Sequence, residues 1–212
     1  MTTININTLK ISLTYLEYLV EVAEMWQHGQ TSTTGFNNSP AMLDYTADNL
    51  GRMYRLNDTT QLIPEMQAFL AKMTKPTTFL TITEGWCGDA SQVVPVFEKI
   101  AVTQPLITHR IMFRDEHLDI MDAFLTDDGR SIPKLIVLDE EGQVLTSWGP
   151  RPQALQDIVQ GIKADMAVMT KEERKTYIES VKSTVHSWYD KDKTVGTQRE
   201  LLAVFEGANL VL

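Results

Sequence analysis

At Pro76 the sequence changes period, and that change restricts the fold more than any other feature. Upstream, apolar residues recur at intervals of three and four. From Thr77 to Thr83 they give way to a short β-branched and aromatic run, the composition of a buried strand. This run leads through Gly85-Trp86-Cys87-Gly88 into Asp89 to Ile100, a helical pattern with an internal proline, Pro95. A second strand follows over Leu106 to Phe113, then Arg114-Asp115-Glu116 and a short helix from about Leu118 to Leu125. After the turn at Asp127-Asp128-Gly129, the runs Lys134 to Leu138 and Gln143 to Trp148 form a hairpin across Glu140-Glu141-Gly142. A helix then runs from Gly149-Pro150-Arg151-Pro152 to about Met169. The order predicts the α/β class: a mixed sheet with helices on both faces.

Helices flank this unit. Leu9, Leu13, Leu16, Leu19, Val20, Ala23 and Trp26 mark the buried face of the first, with Thr14 and Glu17 as a capping box and Gly29 at its end. Gln30 to Ser39 is polar and reads as a loop, the most flexible stretch expected. Ser39-Pro40 opens a second helix with Met42, Leu43, Ala47, Leu50, Met53 and Tyr54 inward, and Pro64 opens a third carrying Met66, Phe69, Leu70 and Met73. Near the C-terminus, Thr170 with Glu173 and Thr197 with Glu200 read as two further capping boxes. The expectation is one domain over 1–212: a helical extension (1–76), the α/β core (77–169) and a second helical extension (170–212).

With 212 residues, 43% of them hydrophobic, the chain fills one sizeable core. Its 28 acidic against 19 basic residues give a net charge of -9, which repels nucleic acid and anionic membrane surfaces. The N-terminal residues carry no basic cluster ahead of an apolar run, and no run is apolar for long enough to span a bilayer, so the cytoplasm is the expected compartment. One cysteine, Cys87, excludes an intrachain disulfide, a multi-cysteine zinc site and a redox pair. His28, His109, His117 and His186 are scattered without ligand spacing and are assigned to surface or packing. No cofactor or metal is expected.

Cys87 stands where a strand meets a helix. Free backbone N–H groups and the positive end of the helix dipole lower a thiol pKa there, so an activated thiolate is expected. Gly88 permits close approach of backbone, Trp86 shields one side of the sulfur, and the charge of Asp89 opposes part of the activation.

Trp86-Cys87-Gly88-Asp89-Ala90 after a buried strand resembles the active-site segment of the thioredoxin family, Trp-Cys-Gly-Pro-Cys. Pro95, eight residues past the cysteine, falls where that family kinks its active-site helix, and Ile132-Pro133, with the proline 46 residues past it, where the family carries a cis-proline. More narrowly, the pattern is similar to a group of bacterial thioredoxin-like proteins sharing Glu84 to Ala90, Arg114-Asp115-Glu116, Ser131 to Leu135, Trp148 to Pro152 and Trp188 to Lys193. The chain departs from thioredoxins in two ways. Ala90 replaces the second cysteine, and Thr81 replaces the buried acid six residues before the first.

The resemblance implies a monothiol redox protein, an oxidoreductase in which Cys87 forms a mixed disulfide with a protein or low-molecular-weight thiol. An external thiol must then release it. Phe113, Pro133 and Trp148 are expected beside Cys87, with the Ile132 backbone pairing an extended substrate. Arg114 either holds the thiolate or a substrate carboxylate, or pairs locally with Asp115. Trp148 and Arg151 either line the groove or fix the helical extensions. The alternative is a redox-inactive thioredoxin-fold module that binds a peptide or protein in the same groove.

Overall fold

The computed structural model describes residues 2–32 and 38–210, so part of the loop expected over 30–39 lies outside the described residues. Four strands form one mixed sheet in the order β2-β1-β3-β4. β1 (Thr77–Thr83) pairs in parallel with β2 (Ile107–Phe113) and antiparallel with β3 (Lys134–Leu138), which pairs antiparallel with β4 (Val144–Trp148). Leu80, Ile82, Ile136 and Leu138, and with them Val137 and Leu135 on the opposite face, are fully buried. The sheet is therefore covered on both faces, as its near-continuous apolar strands require.

The helices before the sheet are α1 (Ile6–Leu9), α2 (Tyr15–Gln27), α3 (Pro40–Thr59) and α4 (Pro64–Leu70). After β1 come α5 (Ala90–Thr103), with Pro95 inside it, and, past β2, the short α6 (Leu118–Met121). The chain ends in α7 (Gln153–Ala167), α8 (Lys171–Asp192) and α9 (Val195–Gly207). α6 stops four residues earlier than expected, because the chain turns back through Thr126 and Gly129, which bond to each other at 2.9 Å.

The capping boxes at Thr14 and Thr170 are both present. The phase of α2 differs from the sequence reading. Tyr15, Tyr18, Leu19 and Val22 face the core, whereas Leu16 (70% exposed), Val20 and Trp26 face outward. The tyrosine rings bring more apolar area than the leucines, and Tyr18 packs on Phe113 at 5.7 Å, so they take the inner face. In α3, Tyr54 is likewise exposed, and Asn49 is buried in its stead, donating to the Gly85 carbonyl at 3.1 Å.

The third capping box is absent. α9 begins before Thr197, which is buried and bonds to Asp192, and the Asp192 carboxylate accepts the Gly196 and Thr197 backbone N–H groups at 2.7 and 3.2 Å. Glu200 instead accepts the backbone N–H of Gln153 at 2.7 Å, satisfying the first turn of α7 from another helix.

The N-terminal segment closes both edges of the sheet. Ile4 and Thr2 bond to Gly142 and Val144 beside β4, and Leu13 exchanges two bonds of 2.8 Å with Ile111 on β2. Exposed edges invite pairing between chains, and here both carry backbone partners.

One turn positions the site and admits only glycine. Gly149 has φ +120°, and a Cβ there would run into the Pro133 carbonyl oxygen. Lys134 Nζ bonds the Gly149 carbonyl at 3.2 Å and Thr126 Oγ1 at 2.6 Å, holding the turn to the start of β3. Gly149→Ala is expected to cost at least about 2 kcal/mol in urea unfolding.

Candidate functional site

Cys87 lies between β1 and α5. Its backbone N–H donates to the Glu84 carbonyl at 3.0 Å, which folds the connecting turn. Its Sγ accepts the Ala90 N–H at 3.5 Å and donates to the Ile132 carbonyl at 3.3 Å. The Ile132–Pro133 peptide bond is cis, as is Gly149–Pro150. Cys87 and Ile132 share the wall of a cavity of about 380 Å³ with Trp86, Gly88, Asp89 and Arg151.

The expectation of a thiolate is overturned. Cys87 is only 6% exposed, and its thiol pKa is pushed up to about 12, first by burial and then by the negative charge of Asp89. The Ala90 N–H and Arg151 oppose this and are outweighed. A helix N-terminus stabilises a thiolate by a modest amount, whereas complete desolvation moves a pKa much further. The resting residue is a protonated thiol.

The helical extensions supply part of the cavity wall around it. Tyr45 of α3 lies against Gly88, where a Cβ would run into its hydroxyl, and Met42 and Lys182 complete the wall from α3 and α8. Tyr45 Oη bonds His186 Nε2 at 3.0 Å, and His186 Nδ1 meets Gln92 Nε2 at 3.2 Å, so α3, α8 and α5 are joined by side chains over the site. Burial lowers the His186 pKa and raises that of Tyr45 to about 12, keeping both neutral at pH 7.

Asp89 is held by an ion pair with Arg151, 2.5 Å from Nη2 and 3.1 Å from Nε, and by the Tyr189 hydroxyl, which donates at 2.8 Å. Arg151 also reaches Gln156 at 2.8 Å. Arg151 thus both lines the cavity and fixes the start of α7.

Arg114 takes the local alternative. It donates to Asp115 at 2.7 Å and to the Arg130 carbonyl at 3.3 Å, and its guanidinium lies 5.1 Å over the Trp86 ring, still in the cavity wall.

Trp148 and Phe113 are not in that wall. Trp148 is buried, packs edge-on against Phe97 at 5.7 Å and donates from Nε1 to Glu200 at 2.7 Å, so it anchors α9. Phe113 is buried as well, against Tyr18, and the register of the strands puts both rings on one face of the sheet, inside the core.

Sequence reasoning missed Glu84. Its side chain is fully buried, accepting from Ser32 Oγ and, at 2.9 Å, from the Asp115 backbone N–H, while Ser32 Oγ also accepts the Gly85 N–H at 2.9 Å. Burial raises the Glu84 pKa to about 7. An acid directly before the Gly85-Trp86-Cys87 turn was the available signal. His109, assigned to packing or surface, is buried and links Thr81 at 2.9 Å to Glu98 at 2.8 Å. Among the described residues no group of side chains is placed to hold a metal ion, and no helix is long and apolar enough to cross a membrane.

A mixed four-stranded sheet with a cysteine at the β1–α5 junction and a proline before β3 defines the thioredoxin-like class of α/β proteins. A family model described as Thioredoxin matches residues 35–167, and the chain belongs to that family. No curated protein matches. Among solved structures, a protein of unknown function from Pseudomonas aeruginosa is 22% identical, with 92% of this chain and 99% of that one covered and a TM-score of 0.49. An HIV epitope scaffold is 19% identical over 92% and 99%, with a TM-score of 0.48. The N-terminal domain of an alkylhydroperoxide reductase from Enterococcus faecalis is 18% identical over 40% and 42%, with a TM-score of 0.34.

Proposed function

We propose that the chain is a monothiol thiol–disulfide oxidoreductase of the bacterial cytoplasm, in which Cys87 forms a mixed disulfide that an external thiol resolves. The observation that carries this reading is the common cavity of Cys87 and Ile132, in which the thiol already lies 3.3 Å from the carbonyl before the cis-proline. A substrate backbone pairing with Ile132 would take over that carbonyl and bring its own sulfur to Sγ. With Ala90 in place of a second cysteine, release depends on a second thiol molecule.

The raised pKa makes the resting protein slow. Moving a thiol from the free value of about 8.5 to about 12 removes about three and a half decades of thiolate at neutral pH, and higher intrinsic nucleophilicity returns about half of that. Substrate docking must therefore displace the S–H···O bond and part of the cover before exchange. This same observation favours a second reading, a redox-inactive module that uses the groove only to bind.

The two readings part in a turnover assay on the full chain with hydroxyethyl disulfide and an excess of a monothiol. The exchange reading expects reduction above the uncatalysed rate and its complete loss in Cys87→Ser. Equal rates with the wild-type chain, the variant and no protein would support the binding module.

A further inference from the structure

We infer that the Tyr18 hydroxyl is the hydrogen-bond donor that receives the Cys87 sulfur when it becomes a thiolate. The use of this bond in turnover rests on the exchange reading above, whereas the bond itself requires only that the thiol ionise.

At rest the thiol is a donor, to the Ile132 carbonyl at 3.3 Å. Once its proton has passed to solvent base, that carbonyl oxygen faces an anion and no longer holds it. The donor left in bonding range of Sγ is the Ala90 N–H, long at 3.5 Å. Hydrogen bonds to the charged form are what stabilise a buried anion, so the sulfur needs a further donor from the side chains around it.

Three tyrosines on three helices surround the thiol: Tyr18 on α2, Tyr45 on α3 and Tyr189 on α8. Burial first, with a charge on Cys87 among the further causes, holds each phenol above its ordinary pKa. Two of them are engaged. Tyr45 Oη bonds His186 Nε2 at 3.0 Å, and Tyr189 Oη donates to Asp89 at 2.8 Å. Tyr18 is fully buried, and its hydroxyl has no hydrogen-bond partner among the described residues. The Thr83 hydroxyl beside it is unbonded as well. For Tyr18 the Cys87 charge ranks directly after burial and ahead of that of Glu84.

The packing of α2 puts Tyr18 there. Its ring lies on Phe113 at 5.7 Å, and Val22, one turn further along the helix, is so close to Gly85 that a Cβ on Gly85 would run into it. α2 therefore abuts the turn that carries Cys87. Turning the Tyr18 O–H toward Sγ breaks no bond, since none is made at rest.

In exchange the Cys87 proton goes to solvent base. The bond from Cys87 to the substrate sulfur forms as the substrate S–S bond breaks, the leaving thiolate carries off that electron pair, and the disulfide is the oxidant. Tyr18 keeps its proton throughout, its own pKa lying well above neutral.

The test is alkylation of Cys87 by iodoacetamide at pH 8 in the full chain, with urea unfolding of each protein. Tyr18→Phe is expected to slow alkylation about fivefold and to unfold at a midpoint no lower than wild type's, because it keeps the ring and removes an unbonded buried hydroxyl. Tyr15→Phe, on the same helix, loses the bond from Tyr15 Oη to Asn57 at 2.8 Å and is expected to be less stable at an unchanged alkylation rate. A Tyr18→Phe rate equal to or above wild type's overturns the inference, as does slowing that Tyr15→Phe reproduces. A Tyr18→Phe midpoint clearly below wild type's also overturns it, because the hydroxyl then serves the resting fold. Turnover of hydroxyethyl disulfide separates the two readings. Slowed alkylation in a protein without turnover supports the inference and refutes exchange, and turnover with unchanged alkylation refutes the inference alone.

Discussion

Asp89→Asn is expected to speed alkylation of Cys87 at pH 8 by about tenfold. After burial, the Asp89 charge is the largest influence holding the thiol up, and asparagine removes it while leaving Arg151 beside the sulfur. Removing that charge lowers the thiol pKa, and about half of the gain in thiolate is given back in intrinsic nucleophilicity. Arg151→Gln is expected to act in the opposite direction, because it leaves the Asp89 charge uncompensated next to Cys87. Both variants lose part of a largely buried ion pair and should be less stable, so the rates are compared after circular dichroism has shown each to be folded. Opposite signs at similar stability cost separate an electrostatic effect from general loosening. Acceleration in both variants would contradict it.

Glu84→Gln is expected to stabilise the protein at pH 8 by about 3 kcal/mol, and to do little at pH 4. The sign follows from the raised pKa of about 7 against an ordinary value of 4.5. Below about 4.5 the carboxyl is protonated in both folded and unfolded chains. As pH rises to about 7, the unfolded chain releases its proton first, so the folded state loses stability through that window and then levels off. Glutamine fits both neighbours, its amide N–H donating to Ser32 and its carbonyl accepting from Asp115, with no charge to desolvate. Urea unfolding of both proteins at pH 4 and pH 8 checks this. A variant less stable than wild type at pH 8, or one with an unchanged pH dependence, would contradict it.

These two acids also show where sequence reasoning stops. The strand and helix order from Thr77 to Ala167 was legible because each element carries its own period and each turn its own residues. Two of three capping boxes were legible for the same reason: Thr14 with Glu17 and Thr170 with Glu173 are local geometry. The third motif has the same spacing, but Glu200 is drawn away by Trp148 and Gln153, partners about fifty residues distant. The position of Cys87 was legible, but the state of its thiol was not. Helix dipole and backbone donors are local and readable, whereas the cavity wall around the thiol takes Tyr45 and Lys182 from distant helices, and the charge that adds to burial is that of an Asp89 fixed by Arg151 and Tyr189. Arg151 and Trp148, three residues apart, could not be distinguished from sequence. Only packing sends one into the cavity wall and the other onto Phe97.

The most direct test of the account is the intact mass of the full chain after exposure to excess glutathione disulfide at pH 8, followed by a second thiol. The account predicts a single adduct, mapped to Cys87, formed slowly, removed by the second thiol and absent from Cys87→Ser. A chain that keeps its original mass while its urea-unfolded form is modified readily would contradict it, and would leave the groove a binding surface with a silent cysteine.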